Sequence, residues 1–172
     1  GLSMLPPPEW RRRMEQNDKR HIGAALYGLS YILKRTAPSL CLGDVENIET
    51  DVSLTEVERG VWLSALYLYD TIEGGVGYAE KIFEIFRDAL KLCQAIIEEC
   101  PCAAGCPSCV TALPPGVDDE ALEALLVESN AAVACTRSLL TALLTGEIVD
   151  PEVTFDELTP GPRVEPSPPN EE

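Results

Sequence analysis

The sequence predicts an α+β fold, mainly α-helical with a small β-sheet and a four-cysteine loop. Apolar residues recur at three- and four-residue steps through three segments, which is the spacing of amphipathic helices. Residues 61–69 instead form a near-continuous apolar and aromatic run, which is typical of a buried strand. The chain has 172 residues, enough for one domain with a sizeable core.

The first helix is predicted from about Pro8 to Lys34. A run of prolines precedes it and blocks regular structure, so the opening residues are expected to be a lead-in. The helix should end at Ala37, because the residue before a proline, here Pro38, is disfavoured in the helical region. One apolar face supports this helix, with members Ile22, Leu26, Leu29, Ile32 and Leu33.

The middle of the chain is predicted to be extended and then helical. Residues 40–52 mix apolar and acidic side chains, which indicates extended structure or a loop. The run from Val61 to Tyr69 predicts a strand buried on both faces. A glycine-rich turn follows, and one long helix should then reach the clustered cysteines.

The last predicted helix is capped by Asp118 and ends at Gly146. The predicted boundaries are a lead-in or linker over 1–17, a metal-binding domain over 18–146, and an acidic, proline-rich tail over 147–172. We expect the tail to be disordered beyond about residue 158, because such compositions bury too little apolar surface.

Four cysteines within ten residues are the most informative chemical feature of the sequence. Their spacing can place four thiolates around one point, as a tetrahedral zinc site requires, and the neighbouring prolines and glycine let the chain turn around an ion. Four sulfur ligands leave no open position for water, so one structural zinc ion per chain is predicted rather than a catalytic one. An iron–sulfur cluster is the alternative. The predicted ligands are Cys100, Cys102, Cys106 and Cys109.

The other cysteines are Cys41, Cys93 and Cys135, which we expect to be buried small apolar residues. An odd total of seven, with four packed together, favours a reducing cytoplasm over a secreted disulfide framework. No apolar run is long enough to span a membrane.

The glycine-rich turn between strand and helix has two interpretations. Free backbone N–H groups at such a turn could hold a phosphate, or the turn could be purely structural, with its acid capping or orienting it. No Lys-Ser/Thr pair follows, so the turn is not a P-loop. The residues concerned are Asp70, Gly74, Gly75 and Gly77.

Charge argues against strong nucleic-acid binding by the chain itself. The formal net charge is −16, whereas nucleic-acid binding is expected to use a basic patch. A small basic cluster near the start is the possible DNA contact, with members Arg11, Arg12, Arg13, Lys19 and Arg20. The lone histidine, His21, is expected to be packed or hydrogen-bonded rather than catalytic.

The string from Leu68 to Glu80, followed by a helix and Cys100-x-Cys102-x3-Cys106-Pro-Ser-Cys109, resembles the C-terminal zinc-binding domain of the mitomycin-repair-factor family. These proteins are DEAD/DEAH-box (superfamily 2) DNA-repair helicases. The helix around His21 and the Asp44-Val45 segment are also similar, so the resemblance covers roughly residues 18–110.

The resemblance implies a non-catalytic zinc-binding module of an ATP-dependent 3'–5' DNA helicase. Such a module would brace the motor domains, in the same parent chain or in a partner helicase, and help position DNA. The sequence opens with Gly1-Leu2-Ser3-Met4, which suggests a tag remnant or an internal cut of a larger protein.

The chain departs from that family in lacking both ATPase domains, so we expect no ATP hydrolysis and no unwinding by the chain alone. The alternative is a motor-less zinc-domain subunit of a bacterial anti-phage system that acts with a partner helicase. A third possibility is an enzyme that binds a phosphorylated ligand at the glycine-rich turn.

Overall fold

The computed structural model describes residues 1–41, 45–72, 77–102, 106, 108–110 and 119–152. Helices dominate these residues, and a small three-stranded antiparallel sheet accompanies them, which confirms the predicted fold class. In chain order the elements are β1 (Leu2–Met4), α1 (Pro8–Asn17), α2 (Arg20–Cys41), a 3-10 turn (Val45–Asn47), β2 (Ile48–Glu58), β3 (Val61–Asp70), α3 (Tyr78–Glu84), α4 (Phe86–Glu99) and α5 (Asp119–Thr145).

The opening residues, expected to be a lead-in, contribute both a strand and a helix. Strand β1 pairs with β3, and α1 buries Trp10 and Met14 completely. The indole Nε1 of Trp10 donates a 2.9 Å hydrogen bond to Ser138 on α5. Burial of this tryptophan and methionine ties the segment to the core, although its prolines suggested otherwise.

The predicted helix over residues 8–34 is two helices. The chain breaks at Asp18, whose carboxylate accepts hydrogen bonds from the backbone N–H and the guanidinium of Arg20. This local bonding gives the first turn of α2 its cap. The predicted end at Ala37 is also wrong, because α2 continues through Pro38 to Cys41. Ala37 and Pro38 are buried there, so tertiary packing outweighs the helix bond that proline removes.

The sheet has the strand order β1-β3-β2, and both pairings are antiparallel. Strand β3 confirms the predicted strand, but the prediction that both its faces are buried is wrong. Ala65, Leu66 and Leu68 are buried, whereas Trp62 is 57% and Tyr69 is 41% exposed. Helices cover one face of the sheet along only part of its length, which leaves these aromatic residues in solvent.

Strand β2 occupies much of the segment for which the sequence indicated extended structure or a loop. It pairs with β3 from Ile48 onward, and the two strands join at Gly60, which has a φ of 79°. Because this edge strand is half-exposed and carries acidic and hydroxyl side chains, its sequence lacks the clear alternation of apolar and polar residues that indicates a strand. An irregularity between Glu56 and Glu58 shifts the register near the hairpin end.

Helix α2 is the centre of the fold. It packs against the sheet on one side and against α4 and α5 on the other. The helix approaches its neighbours closely at Gly28, where an added Cβ would overlap Thr136 Oγ1 and would lie 2.9 Å from Val110 Cγ1. Glycine is therefore required at this crossing for steric reasons. His21 is buried at the start of the same helix, as predicted.

The helix predicted to follow the glycine-rich turn is also interrupted. Ile85, with φ −110° and ψ 22°, separates α3 from α4. Helix α5 matches the last predicted helix, and Gly146 ends it with a φ of 77°. The predicted cap Asp118 and the tail beyond residue 152 lie outside the described residues. No helix in the described ranges is long and apolar enough to cross a membrane.

Candidate metal centre

The four clustered cysteines converge on one point. Their Sγ atoms all lie within 4.8 Å of one another. Four of the sulfur–sulfur separations are 3.4 Å (Cys100–Cys102), 3.6 Å (Cys100–Cys106), 3.3 Å (Cys102–Cys109) and 3.7 Å (Cys106–Cys109). A tetrahedral zinc ion with Zn–S bonds of about 2.3 Å holds its sulfurs about 3.8 Å apart. The cluster therefore fits a metal ion of this size with little rearrangement.

The separations also exclude disulfides within the cluster. A disulfide joins its sulfurs at about 2.05 Å, far below the distances found here, and none of the seven cysteines forms a disulfide. A set of four thiolates suits zinc or an iron–sulfur cluster rather than the hard cations that prefer oxygen ligands.

The local fold explains why these side chains meet. Cys100 ends α4, and its backbone N–H still bonds to the carbonyl of Ile96 at 3.2 Å. Later in the loop, the backbone N–H of Cys109 bonds to the carbonyl of Cys106 at 3.1 Å and closes a tight turn. Cys109 and the following Val110 are buried, so the loop is anchored in the main core.

The electrostatics favour loss of a proton from one member of the cluster. Hydrogen bonds from the Ser108 backbone N–H, from the Cys100 thiol and from the Cys109 backbone N–H lower the pKa of Cys106 to about 6. For Cys100, the backbone and side chain of Cys102 favour the thiolate. Lost hydration and the bonds to Cys106 and Cys109 outweigh them, so the pKa of Cys100 is raised. Backbone amides aimed at sulfur are what a thiolate ligand needs.

The cysteines outside the cluster have different surroundings. Cys93 and Cys135 are buried, as predicted, whereas Cys41 is only half-buried. Burial raises the pKa of the Cys93 thiol to about 11, and its sulfur lies 3.5 Å from Thr36 Oγ1. Such a thiol stays protonated and is a poor metal ligand.

In the described part of the glycine-rich turn, Asp70 caps α3. Its Oδ1 accepts hydrogen bonds from the backbone N–H groups of Tyr78 at 3.0 Å and Ala79 at 3.3 Å. Gly77 has a φ of 82°, a conformation that favours glycine. Gly74 and Gly75 lie outside the described residues. Two N–H groups that could have held a phosphate are thus bonded to a carboxylate, and phosphate binding stays a prediction.

Carboxylates occupy most of the basic cluster that the sequence suggested for DNA. Arg13 forms a bidentate pair with Asp150, at 3.0 and 2.7 Å, and Arg20 pairs with Asp18 at 2.6 Å. Arg11 lies 3.7 Å from Glu15. For Arg12 and Lys19 no ion pair with a described residue is found. DNA contact by these residues stays a prediction.

Sequence reasoning missed a strap formed by residues 147–152. Asp150 accepts hydrogen bonds from both Arg13 and Asn17, and the carbonyl of Val149 accepts one from Ser138. Because Ser138 also accepts the Trp10 hydrogen bond, the strap, α1 and α5 share one bonded chain. The run of acids after Gly146 was the available signal, but only the fold shows which arginine it meets.

Comparison with known proteins finds a matching family for the part of the chain that contains the cysteine cluster. Residues 29–110 match the family model of the MrfA Zn-binding domain. The match confirms the resemblance to MrfA-type helicases. It contains all four clustered cysteines, Asp70 and Gly77, and it excludes the whole basic cluster.

Helicases are prominent among the relatives. The uncharacterized ATP-dependent helicase YprA of Bacillus subtilis is 33% identical over 85 residues, covering 49% of this chain and 11% of that protein. The ATP-dependent helicase HRQ1 of Saccharomyces cerevisiae is 28% identical over 113 residues, covering 61% and 10%. The chain thus spans about a tenth of the length of these helicases. The Druantia protein DruE of Escherichia coli is 37% identical over 57 residues, covering 33% and 3%.

Two solved structures are also similar. The DUF1998 helicase MrfA bound to DNA matches with a TM-score of 0.41 and 30% identity, covering 50% of this chain and 11% of that one. The same helicase bound to DNA and AMPPNP matches with a TM-score of 0.47 and 27% identity, covering 63% and 13%.

Proposed function

We propose that this chain is a non-catalytic, zinc-binding module of an MrfA-like DNA-repair helicase, which braces the motor domains and helps to position DNA. The observation that carries the proposal is the convergence of four cysteine sulfurs inside the segment that matches the MrfA Zn-binding domain. The motor domains would belong to the same parent chain or to a partner helicase, in the cytoplasm.

The metal is proposed to be one zinc ion per chain, held by Cys100, Cys102, Cys106 and Cys109. Bound zinc would supply structural cross-linking rather than chemistry, because four sulfur ligands fill its coordination sphere. The ligands reach the loop from the end of α4 and from a turn anchored beside α2 and α5. A metal at this point would fix the spacing of three helices, which suits a part that must stay rigid beside a moving motor.

The chain alone is proposed to have no ATPase activity. Phosphoryl transfer by helicases uses a phosphate-binding loop with a lysine and a Mg²⁺-binding acid. The sequence has no Gly-x-x-x-x-Gly-Lys-Ser/Thr motif, and none of its four lysines directly follows a glycine. ATP hydrolysis and unwinding would belong to the motor.

Two measurements test this function. Elemental analysis of the purified chain should find about one zinc per chain and no stoichiometric iron. With its helicase motor present, the zinc-loaded chain should increase unwinding of a forked duplex, and Cys106→Ser should remove that increase. Cys41→Ser is the matched control, because Cys41 lies outside the cluster. Unwinding that is indifferent to Cys106 would refute the bracing role.

The second candidate is a zinc-domain subunit of an anti-phage system. The similarity to the Druantia protein DruE favours it, although it covers only 33% of this chain. Deleting the gene that encodes this chain distinguishes the two. Increased sensitivity to a DNA cross-linker supports the repair helicase, whereas increased phage infection with normal cross-linker survival supports the defence subunit.

A further inference from the structure

The β2–β3 hairpin extends beyond the helices that cover the sheet. On the face that meets α2, Leu66 is buried and its cross-strand partner Val52 packs against the main core. Because alternate residues of a strand share a face, Leu54 and Trp62 continue this face toward the turn. Leu54 is 63% exposed and Trp62 is 57% exposed. The end of the hairpin therefore carries apolar side chains of the core face that lie largely in solvent.

The rest of this hairpin end, which comprises residues 54–62, exposes apolar side chains as well. Val61 is exposed on the face opposite Trp62, and Val57 is exposed at the irregularity before the turn. Both faces of the hairpin end thus present large apolar side chains to solvent. Exposed apolar side chains that lie close together mark interaction sites, whereas single ones are ordinary on protein surfaces.

The sequence of β3 suits a strand that is buried in its final assembly. Residues 61–69 form a near-continuous apolar run, as in strands that are buried on both faces. Within this chain, only Ala65, Leu66 and Leu68 of that run are buried. Sequence and exposure disagree clearly at the hairpin end, and a protein that covers it would remove the disagreement.

A second copy of the chain is poorly suited to cover the hairpin end. One edge of the sheet is β2, which carries Glu56, Glu58 and a register shift near the turn. Charges and bulges of this kind keep edge strands from pairing with one another. Two copies, each with a net charge of −16, would also repel one another.

The charges of the hairpin end indicate a basic partner. Each exposed apolar residue of β3 at this end has an acid as its cross-strand partner, since Glu56 lies opposite Trp62 and Glu58 lies opposite Val61. Neither acid forms an ion pair with a described residue, and the same holds for Arg59, the one base between residues 51 and 64. A surface that covers this end therefore needs apolar pockets with cations beside them.

We propose that the hairpin end inserts into an apolar cleft with a basic rim on the helicase motor, and that Trp62 anchors it there. Tryptophan is enriched among the residues that dominate binding energy in protein interfaces. Basic side chains of the rim would pair with Glu56 and Glu58. The hairpin lies within residues 29–110, which match the MrfA Zn-binding domain, and this chain spans only about a tenth of the length of its helicase relatives. The inference rests on the proposed function in taking the motor as the partner.

The test is hydroxyl-radical footprinting of the zinc-loaded chain alone and of the complete helicase, which contains the motor in the same chain or in a partner. Trp62 should be oxidised about ten-fold more slowly in the complete helicase, because side chains that dominate an interface are fully desolvated there. Leu54 should be protected together with it. Phe83, which is exposed on α3, should be oxidised equally in both forms.

Variants show whether Trp62 is the anchor. Trp62→Ala should release the hairpin end, so that Leu54 in the complete helicase is oxidised as fast as in the chain alone. Trp62→Phe should keep Leu54 protected, because an aromatic anchor remains, and Phe83→Ala is the matched control that should also keep it protected. Glu58→Lys should reduce the protection, since a basic rim would repel the new charge, whereas Glu80→Lys, at an exposed acid of α3, should not. Zinc content and melting temperature of each variant verify that it is folded.

Several results would overturn this contact. They are equal oxidation of Trp62 in both forms, protection of Leu54 that survives Trp62→Ala, protection that requires DNA, or protection that arises in the chain alone as its concentration rises, which would make a second copy the occupant. If Cys106→Ser still removes the increase in unwinding in any of these cases, the zinc module stands without this contact. If Trp62 is protected but the chain does not increase unwinding, the bracing role fails and the contact stands.

Discussion

The described buried side chains form two hydrophobic clusters, and different structural elements border each of them. The larger cluster joins α1, α2, α4 and α5, and Cys100, Cys102 and Cys106 pack against its edge. The smaller cluster lies between the end of α2, the sheet and α3. Its members are Ala37, Ile48, Leu68, Ala79 and Ile82.

The two clusters differ in the structural elements that border them. The cysteine loop borders the larger cluster, and its four sulfur atoms lie within 4.8 Å of one another. Strands and a short helix border the smaller one, and the Asp70 carboxylate fastens that helix through two backbone hydrogen bonds. Loss of the metal should therefore destabilise the larger cluster and have little effect on the stability of the smaller one.

The largest expected effect is that of Cys106→Ser. Metal binding free energy is also folding free energy, and a structural zinc contributes about 10–16 kcal/mol in zinc-binding peptides. The variant should lose zinc and melt at a lower temperature than the parent. Its amide hydrogen exchange should speed up, relative to the parent, more in α4 and α5 than in α3. A chelator should reproduce this pattern in the parent chain.

Cys41→Ser is the control for this experiment, since Cys41 packs beside the smaller cluster. It should retain zinc. If Cys106→Ser keeps one zinc ion and melts like the parent, Cys106 is not a ligand. If α3 loosens as much as α4, the two clusters do not differ in the way proposed.

The second expected effect concerns glycines within α2. Gly28→Ala should destabilise the larger cluster by about 1–3 kcal/mol, the usual cost of overpacking. An added Cβ would overlap Thr136 and press on Val110, which follows Cys109, so zinc affinity should fall as well. Urea unfolding and competition with a zinc-binding dye measure the two losses.

Gly23→Ala is the matched control on the same helix, because nothing lies within 4 Å of an added Cβ there. It should stabilise the chain by up to about 1 kcal/mol through helix propensity. Equal effects at the two glycines would show that close packing at Gly28 is not what holds the metal loop.

Sequence patterns predicted the parts of this fold that depend on one segment alone. The cysteine spacing indicated the cluster, and Gly146 ends α5 as expected. The helix through Pro38 and the pairing of Asp150 with Arg13 depend on contacts between segments far apart in the sequence. Local propensity cannot reveal those, because the packing partner decides whether a proline is tolerated or an arginine is free.

The third prediction tests the smaller cluster directly. Asp70→Ala should cost about 1 kcal/mol, because it removes the acceptor for two N–H groups at the start of α3. Urea unfolding should show this loss, while zinc content and zinc affinity stay at parent values. Asp51→Ala, an exposed acid on β2, should be neutral. A fall in zinc affinity in Asp70→Ala would mean that the two clusters are coupled.

The smallest expected effect is at the strap that fastens α5 to α1 over the larger cluster. The Arg13 hydrogen bonds hold the pKa of Asp150 below its usual value. A carboxyl group with a lowered folded pKa stabilises the fold fully above its unfolded pKa, about 3.9, and loses that contribution as pH falls through the folded value. Asp150→Asn should therefore melt slightly below the parent at pH 7, and this gap should close in acid.

Both partners of this pair are largely exposed, so solvent screening keeps the effect at pH 7 small. Raising the salt concentration should reduce it further. Glu152→Gln, at an exposed neighbour in the same strap, is the control and should melt like the parent at pH 7. Zinc content should stay unchanged in Asp150→Asn, because the strap bonds to Arg13, Asn17 and Ser138, none of which belongs to the cysteine cluster. If the difference in melting temperature between the parent and Asp150→Asn widened in acid, groups other than this carboxylate would be responsible for the stability that the strap contributes.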